Sequence, residues 1–267
     1  MPACAPSAEN AAGTDERPDQ QTADADDDAS AGQPMPPIHV ELIEEPLDGG
    51  RNIHREAYQG LLQSCGDAGF PITPLAPDQV DQLGTARVKL WFSDQVRVLS
   101  RESWSFEKDP QPRSCNFRLV REGLHSRTDT DGVVETDLGS GEVTRQAADP
   151  GLLERFPAEA GDSVMAALGY QGPTRISVAG EPCAQWTNRT GATVCLWSGG
   201  RAWGFSDAVG ASGCSPSPLS TYENSIVLQQ APPSEGVGCR VTTVQFTVGT
   251  VFGEREMAPP RSLPEAS

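Results

Sequence analysis

Cysteine usage constrains this chain more than any other feature. Cys65, Cys115, Cys183, Cys195, Cys214 and Cys239 form an even set of six with no Cys-x-x-Cys spacing among them. That excludes a zinc ribbon or a thioredoxin-type site and predicts three disulfides in an oxidising compartment. Cys183 and Cys195 fall on the two arms of a hairpin predicted around Asn188-Arg189-Thr190-Gly191, which brings them together. Cys214 lies in a Gly, Ser and Pro-rich loop, and Cys239 opens the last long strand. A bridge between them would pin the loop. The remaining pair, Cys65–Cys115, would staple a helix to a sheet.

The seventh cysteine stands apart. Met1-Pro2-Ala3-Cys4 resembles the end of a bacterial lipobox, a small residue before an invariant cysteine, and an Asp-rich spacer follows it. Together these resemble Gram-negative periplasmic lipoproteins as a class. The resemblance implies that Cys4 is the acylated N-terminus of the mature protein, with the true start upstream. It also implies a periplasmic location with a lipid anchor, in the outer rather than the inner membrane. The alternative is a cytosolic protein with free thiols.

Acidic residues outnumber basic ones 37 to 20, a net charge of −17. The tail to Pro37 contributes −7 of this, with eight acids against Arg17 alone, leaving −10 on the remainder. Such a charge argues against nucleic acid, whose binding depends on phosphate neutralisation, and against electrostatic docking on anionic lipid. It suits a basic protein partner, solubility being the alternative explanation. The 18 Arg against two Lys reflect base composition rather than function.

Residues 1–37 hold no aromatic side chain and too little apolar surface to offset ordering entropy, so they are expected to be a disordered acidic tether. Residues 38–255 are expected to form a single mainly-β (α+β) domain, a curved antiparallel sheet or sandwich with an N-terminal helix packed on it. Residues 256–267, rich in proline, are expected to be a flexible end. Ile53, Ala57, Tyr58, Leu61, Leu62 and Cys65 recur at helical spacing, with Asn52 to cap and Gly66 to end the helix. From about residue 85 the chain reads mainly as strands, turned at Ser93-Asp94, Asp131-Gly132, Gly139-Ser140-Gly141 and Gly199-Gly200. A short helix is predicted over Val164 to Leu168, closed by Gly169. Ala86 to Leu99, with Asp137-Leu-Gly-Ser-Gly141, resembles the early hairpins of the lipoprotein-carrier half-barrel family. That resemblance implies a carrier of lipid or another hydrophobic ligand.

No pattern points to catalysis, a metal or a cofactor. Asp129-Thr-Asp131-Gly132 is close to a calcium loop, but Arg127 and Leu138 stand where the motif needs acids. Ser105-Phe-Glu-Lys108 has the Ser-x-x-Lys spacing of penicillin-recognising enzymes, yet no lysine follows Lys108 to supply their Lys-Thr-Gly. His39, His54 and His125 lack ligand spacing. Trp186, Trp197 and Trp203 cluster in sequence, either as a binding surface or as packing around a disulfide. The expectation is a non-catalytic, lipid-anchored binding module that blocks a basic protein, in the manner of an inhibitor or immunity protein against a secreted or wall-acting enzyme. A hydrophobic-ligand carrier is the second reading, and an enzyme with a dispersed site the third.

Overall fold

The sheet is built outward from one strand, β1 (Ile38–Asp48). The computed structural model describes residues 34–156, 158, 161–208, 214 and 220–260. On one side β1 pairs antiparallel with β4 (Ala86–Phe92). On the other it pairs with β13 (Val237–Val248), so His39 lies opposite Thr247 near the far end of the domain's sequence. From β4 the sheet continues through β5 (Val96–Lys108), β6 (Cys115–Asp129), β7 (Gly132–Asp137) and β8 (Val143–Ala147). From β13 it continues through β12 (Val227–Ala231), β11 (Thr193–Trp197), β10 (Glu181–Thr187) and β9 (Gln171–Val178). Two short strands complete it, β2 (Arg51–Asn52) beside β1 and β3 (Ile72–Thr73) parallel to β6. The fold is mainly β, one open antiparallel sheet, in accord with the fold class expected from sequence.

Local chemistry explains where the chain turns. Asp137 accepts from the Gly139 and Ser140 amides between β7 and β8. Asn188 accepts from the Thr190 and Ala192 amides between β10 and β11. Both are side-chain-stabilised turns of the kind Asp and Asn favour. Helix α1 (Ile53–Asp67) starts where expected, with the Asn52 carboxamide accepting from the His54 and Arg55 amides. It ends just past Gly66. Tyr58 and Cys65 are its buried residues, whereas Ile53 and Leu61 of the predicted apolar stripe face solvent. Two more short helices follow, α2 (Pro77–Gln82) and α3 (Asp162–Ala167), with Gly169 behind α3 at φ +83°. Gly199-Gly200 leads into a single 3-10 turn at Arg201–Trp203 rather than a strand.

Alternation along β1 gives the sheet two unlike faces. Ile38, Val40 and Leu42 point inward with Val88, Leu90 and Phe92 of β4 and Leu99 of β5. Across this core stand Trp186, Trp197, Leu196 and Val227 from the opposite flank. Phe205 joins the flanks, its ring 4.9 Å from Phe92 and 5.3 Å from Trp197. Strands β4 and β11 are four places apart in the sheet, about 19 Å if it were flat. The sheet therefore curls around Phe205. Met165 and Tyr222 fill the same space.

Trp186 and Trp197 are consequently core, not surface. Trp186 and Trp197 are each 1 % exposed, with their indole N–H groups donating to the Asp207 carbonyl and to Glu181. Trp203 is half-buried and stacks on Trp197. For Trp186 and Trp197 the binding-surface reading gives way to the other one, packing around the Cys183–Cys195 hairpin. A sheet this modest in aliphatic residues needs large rings to fill its interior.

All three disulfides form, as Cys65–Cys115, Cys183–Cys195 and Cys214–Cys239, with Cα separations of 6.3, 5.6 and 5.7 Å. Cys183 is not directly opposite Cys195. It faces Trp197, and Cys195 faces Gln185, so the bridge runs diagonally across the ladder. Cys65–Cys115 fastens α1 to β6 beside Tyr58, Phe106 and Phe117.

Residues 256–260 depart from the flexible end expected of them. Met257 is 4 % exposed and packs with Trp91 and Val98, and Arg121 donates to the Pro260 carbonyl. Prolines stop this stretch from joining a ladder but not from lying on one. Cys4, the tether up to residue 33, and residues 261–267 lie outside the described residues.

The bridges should differ in worth. Replacing Cys65 and Cys115 by Ala opens a 50-residue separation, against 12 for Cys183 and Cys195. Losses of about 4 and about 3 kcal/mol respectively are expected from chain entropy. Urea denaturation of both double variants checks this, and an inverted order would contradict it.

Candidate functional site

The face of the sheet turned away from the main core is covered in two ways. Helix α1 lies over one end, on Phe106 and Phe117. At the other end an irregular strap, residues 249–260, lies over β4, β5 and β6. Its fixing points are few. The Gly249 amide donates to the Pro37 carbonyl, Glu254 pairs with Arg127, Met257 sits against Trp91 and Val98, and Arg121 holds the Pro260 carbonyl. Arg127 and Arg121 are both on β6, six residues apart, as are Glu254 and Pro260 on the strap. The strap therefore runs alongside β6 in the opposite direction.

Two open clefts of about 530 Å³ flank the strap. The first is acidic. Asp94 from the β4–β5 turn, Asp129 and Asp131 from the β6–β7 hairpin, and Glu254 from the strap line it, with Arg127 the only lining cation among the described residues. Arg127 is already committed. It pairs with Asp129 and with Glu254, which hold its guanidinium well above the ordinary arginine range. Glu254 is in turn held low by Arg127. Asp129 is also held low: burial pushes it up, but Arg127 and the backbone amides of Asp131 and Gly132 outweigh that. Asp129, in the stretch whose likeness to a calcium loop already fails in sequence, is thus spent on Arg127 and its own hairpin. Beside these acids lies apolar surface, with Val251 at 83 % exposure and Phe252 half-buried. Met35 and Pro37, the last residues of the acidic N-terminal segment, form one wall.

The second cleft is different in sign. Arg87, Lys89 and Trp91 of β4 and Ser100 and Glu102 of β5 line its sheet side. Arg255, Glu256, Ala258, Pro259 and Pro260 of the strap line its outer side.

On the same face lies His125, 2 % exposed and opposite Ser100 in the β5–β6 ladder. Its Nδ1 has no hydrogen-bond partner among the described residues. Burial, assisted by the charge of Arg127, pushes the imidazole down to about 4. His39 stacks on Trp91 at 5.0 Å, and burial lowers it too. His54 sits at the start of α1. The three histidines do not converge.

Two carboxylates are buried side by side in sequence but not in space. Glu44 faces the main core, accepting from the Tyr222 hydroxyl at 2.5 Å and from Arg101 at 3.0 Å. Glu45 faces the other way, toward Asn52, Arg55 and Arg240. Burial raises Glu45, yet hydrogen bonds from Asn52 and Arg240 leave it below the usual range. Each is occupied by structural partners, so the pair is not arranged for general acid–base work. Among the described residues no group of three or more His, Cys, Asp or Glu is placed to hold a metal. The sequence missed both clefts, because each is assembled from segments far apart in the chain. No protein-family model matches this chain, and no curated protein is similar to it.

His125 sets a pH dependence. Below pH about 6.5 the unfolded chain takes up a proton there that the folded chain refuses until about pH 4. Stability is therefore lost as pH drops through that interval, by about 3 kcal/mol in all. His39 adds to the same slope. His125→Asn should flatten most of it in chemical denaturation at stepped pH, and an unchanged slope would contradict the assignment.

Proposed function

We propose that this protein is a non-catalytic, lipid-anchored binding module of the periplasm that presents its acidic cleft to a basic protein. The observation that carries this reading is the cleft beside the strap, where four carboxylates face one already neutralised arginine around exposed Val251. Exposed apolar surface inside a charged rim is the usual anatomy of a protein-binding patch. Like charges concentrated there would steer a cationic partner and reject anionic ones.

Three disulfides suit an oxidising compartment. No helix among the described residues is long and apolar enough to cross a membrane. Attachment would then rest on Cys4, and mass spectrometry of membrane-derived protein tests it. An unmodified Cys4 on soluble, cytosolic protein would end this part of the proposal. Rings fill the space inside the sheet's curl, with Phe205 against both Phe92 and Trp197 and Tyr222 in the same cluster. That packing favours recognition on the surface over carriage of a ligand within.

Immobilised full-length protein should capture a basic protein whose affinity drops about tenfold or more between low and physiological salt, because exposed charges are screened beyond about 8 Å. Asp94→Asn with Asp131→Asn should weaken that partner similarly, and Val251→Ser should weaken it without changing the salt slope. A captured partner indifferent to both salt and these substitutions would overturn the assignment of this cleft.

A further inference from the structure

The second cleft, on the strap's other side, carries an inference independent of the acidic one. Charge is the first indication. In a domain with an excess of acids, Arg87, Lys89 and Arg255 line this single cleft. Arg87 and Lys89 share one carboxylate, Glu41, at 3.2 and 3.6 Å. Arg255 has no ion pair among the described residues. Glu102 is neutralised by Arg121, and Glu256 accepts the Gly253 amide. Counting Glu41 and Glu256 against the three cations leaves the cleft at about one positive charge.

The floor is the second indication. Ser100 is 4 % exposed and lines the cleft. His125, opposite Ser100 across the ladder and on the same face, has its Nδ1 without a hydrogen-bond partner among the described residues. Buried polar groups are ordinarily satisfied, and this one is not. Trp91 and the Pro259 and Pro260 rings supply apolar walls.

We propose that this cleft binds a small organic carboxylate with a flat apolar body. The carboxylate would meet Lys89 and Arg255 at the mouth and accept from Ser100, while the body lies between Trp91 and the two prolines. A single net positive charge matches a monoanion better than a phosphate dianion. The site is on the opposite face of the sheet from the main core, so it is not the interior of a lipid carrier.

Calorimetric titration of the full chain with 2-naphthoate, 2-naphthol and 2-naphthyl phosphate tests this. One equivalent of 2-naphthoate should bind, with 2-naphthol and the phosphate each about tenfold weaker, as expected when one charge-assisted hydrogen bond is lost or one charge left unmatched. Arg255→Gln and Ser100→Ala should each weaken 2-naphthoate severalfold. Arg255 lies on the strap, so its replacement leaves the sheet intact even if Ser100→Ala disturbs packing. Arg118→Gln, which removes an exposed cation on β6 paired with Glu107, should change nothing. Failure of 2-naphthoate to bind, equal binding of 2-naphthol, tighter binding of the phosphate, or equal affinity in Arg255→Gln would each overturn the proposal.

Discussion

Two adjacent carboxylates on the central strand hold this fold in its particular arrangement. A strand sends neighbouring side chains to opposite faces, so Glu44 and Glu45 take charge to both sides of the sheet at once. On the inner side Glu44 is received by Tyr222 and Arg101, which ties the segment before β12 to β5 through β1. On the outer side Glu45 is received by Asn52, Arg55 and Arg240, joining the N-terminus of α1 and the last strand. Asn52 serves twice more, capping α1 and donating to the Leu83 carbonyl. A buried charge left without its partner is strongly destabilising, so each partner's position is specified by the need to complete these sets.

The interior is packed with rings, and two of the open clefts lie on the outer face. There the strap divides the surface by sign. Arg127 and Glu254 close one edge of it beside the acidic cleft, and Arg255 with Lys89 and Arg87 marks the other. The same short segment is a wall of both clefts. It is held mainly by side chains rather than by a backbone ladder.

Much of the architecture is legible in the amino-acid pattern, and the failures have physical reasons. Helix α1 is announced by Asn52 and by Tyr58 and Cys65 seven residues apart, and the hairpins by Asp, Asn and Gly at their tips. Disulfide pairing follows once the hairpin around residue 190 is recognised. Strand β1 escapes notice because Glu44-Glu45-Pro46 breaks its alternation, in residue types that strands avoid. Only the partners gathered from residues 52 to 240 make those acids acceptable there. The role of Trp186 and Trp197 is ambiguous in one dimension, since large rings serve interfaces and cores alike, and it takes Phe205 between the flanks to decide. The strap is the hardest case. Proline-rich composition reads as loose chain, and a lone Met257 is too small a signal to reveal that it lands on Trp91.

The pairing of β1 with β13 places the first strand of the domain against its last, with Ile38 opposite Val248. Each flank is a run of mostly neighbouring hairpins that can form early, because short loops close at little entropic cost. Their joining cannot. As the chain emerges, β1 and the flank beyond β4 must wait with one bare edge until β13 arrives, about two hundred residues later by the separation of those partners. Non-local closure of this kind slows folding and leaves an unpaired edge open to wrong partners meanwhile. In a chain that crosses a membrane before it folds, the delay matters less. The whole length is then delivered before the sheet is asked to close.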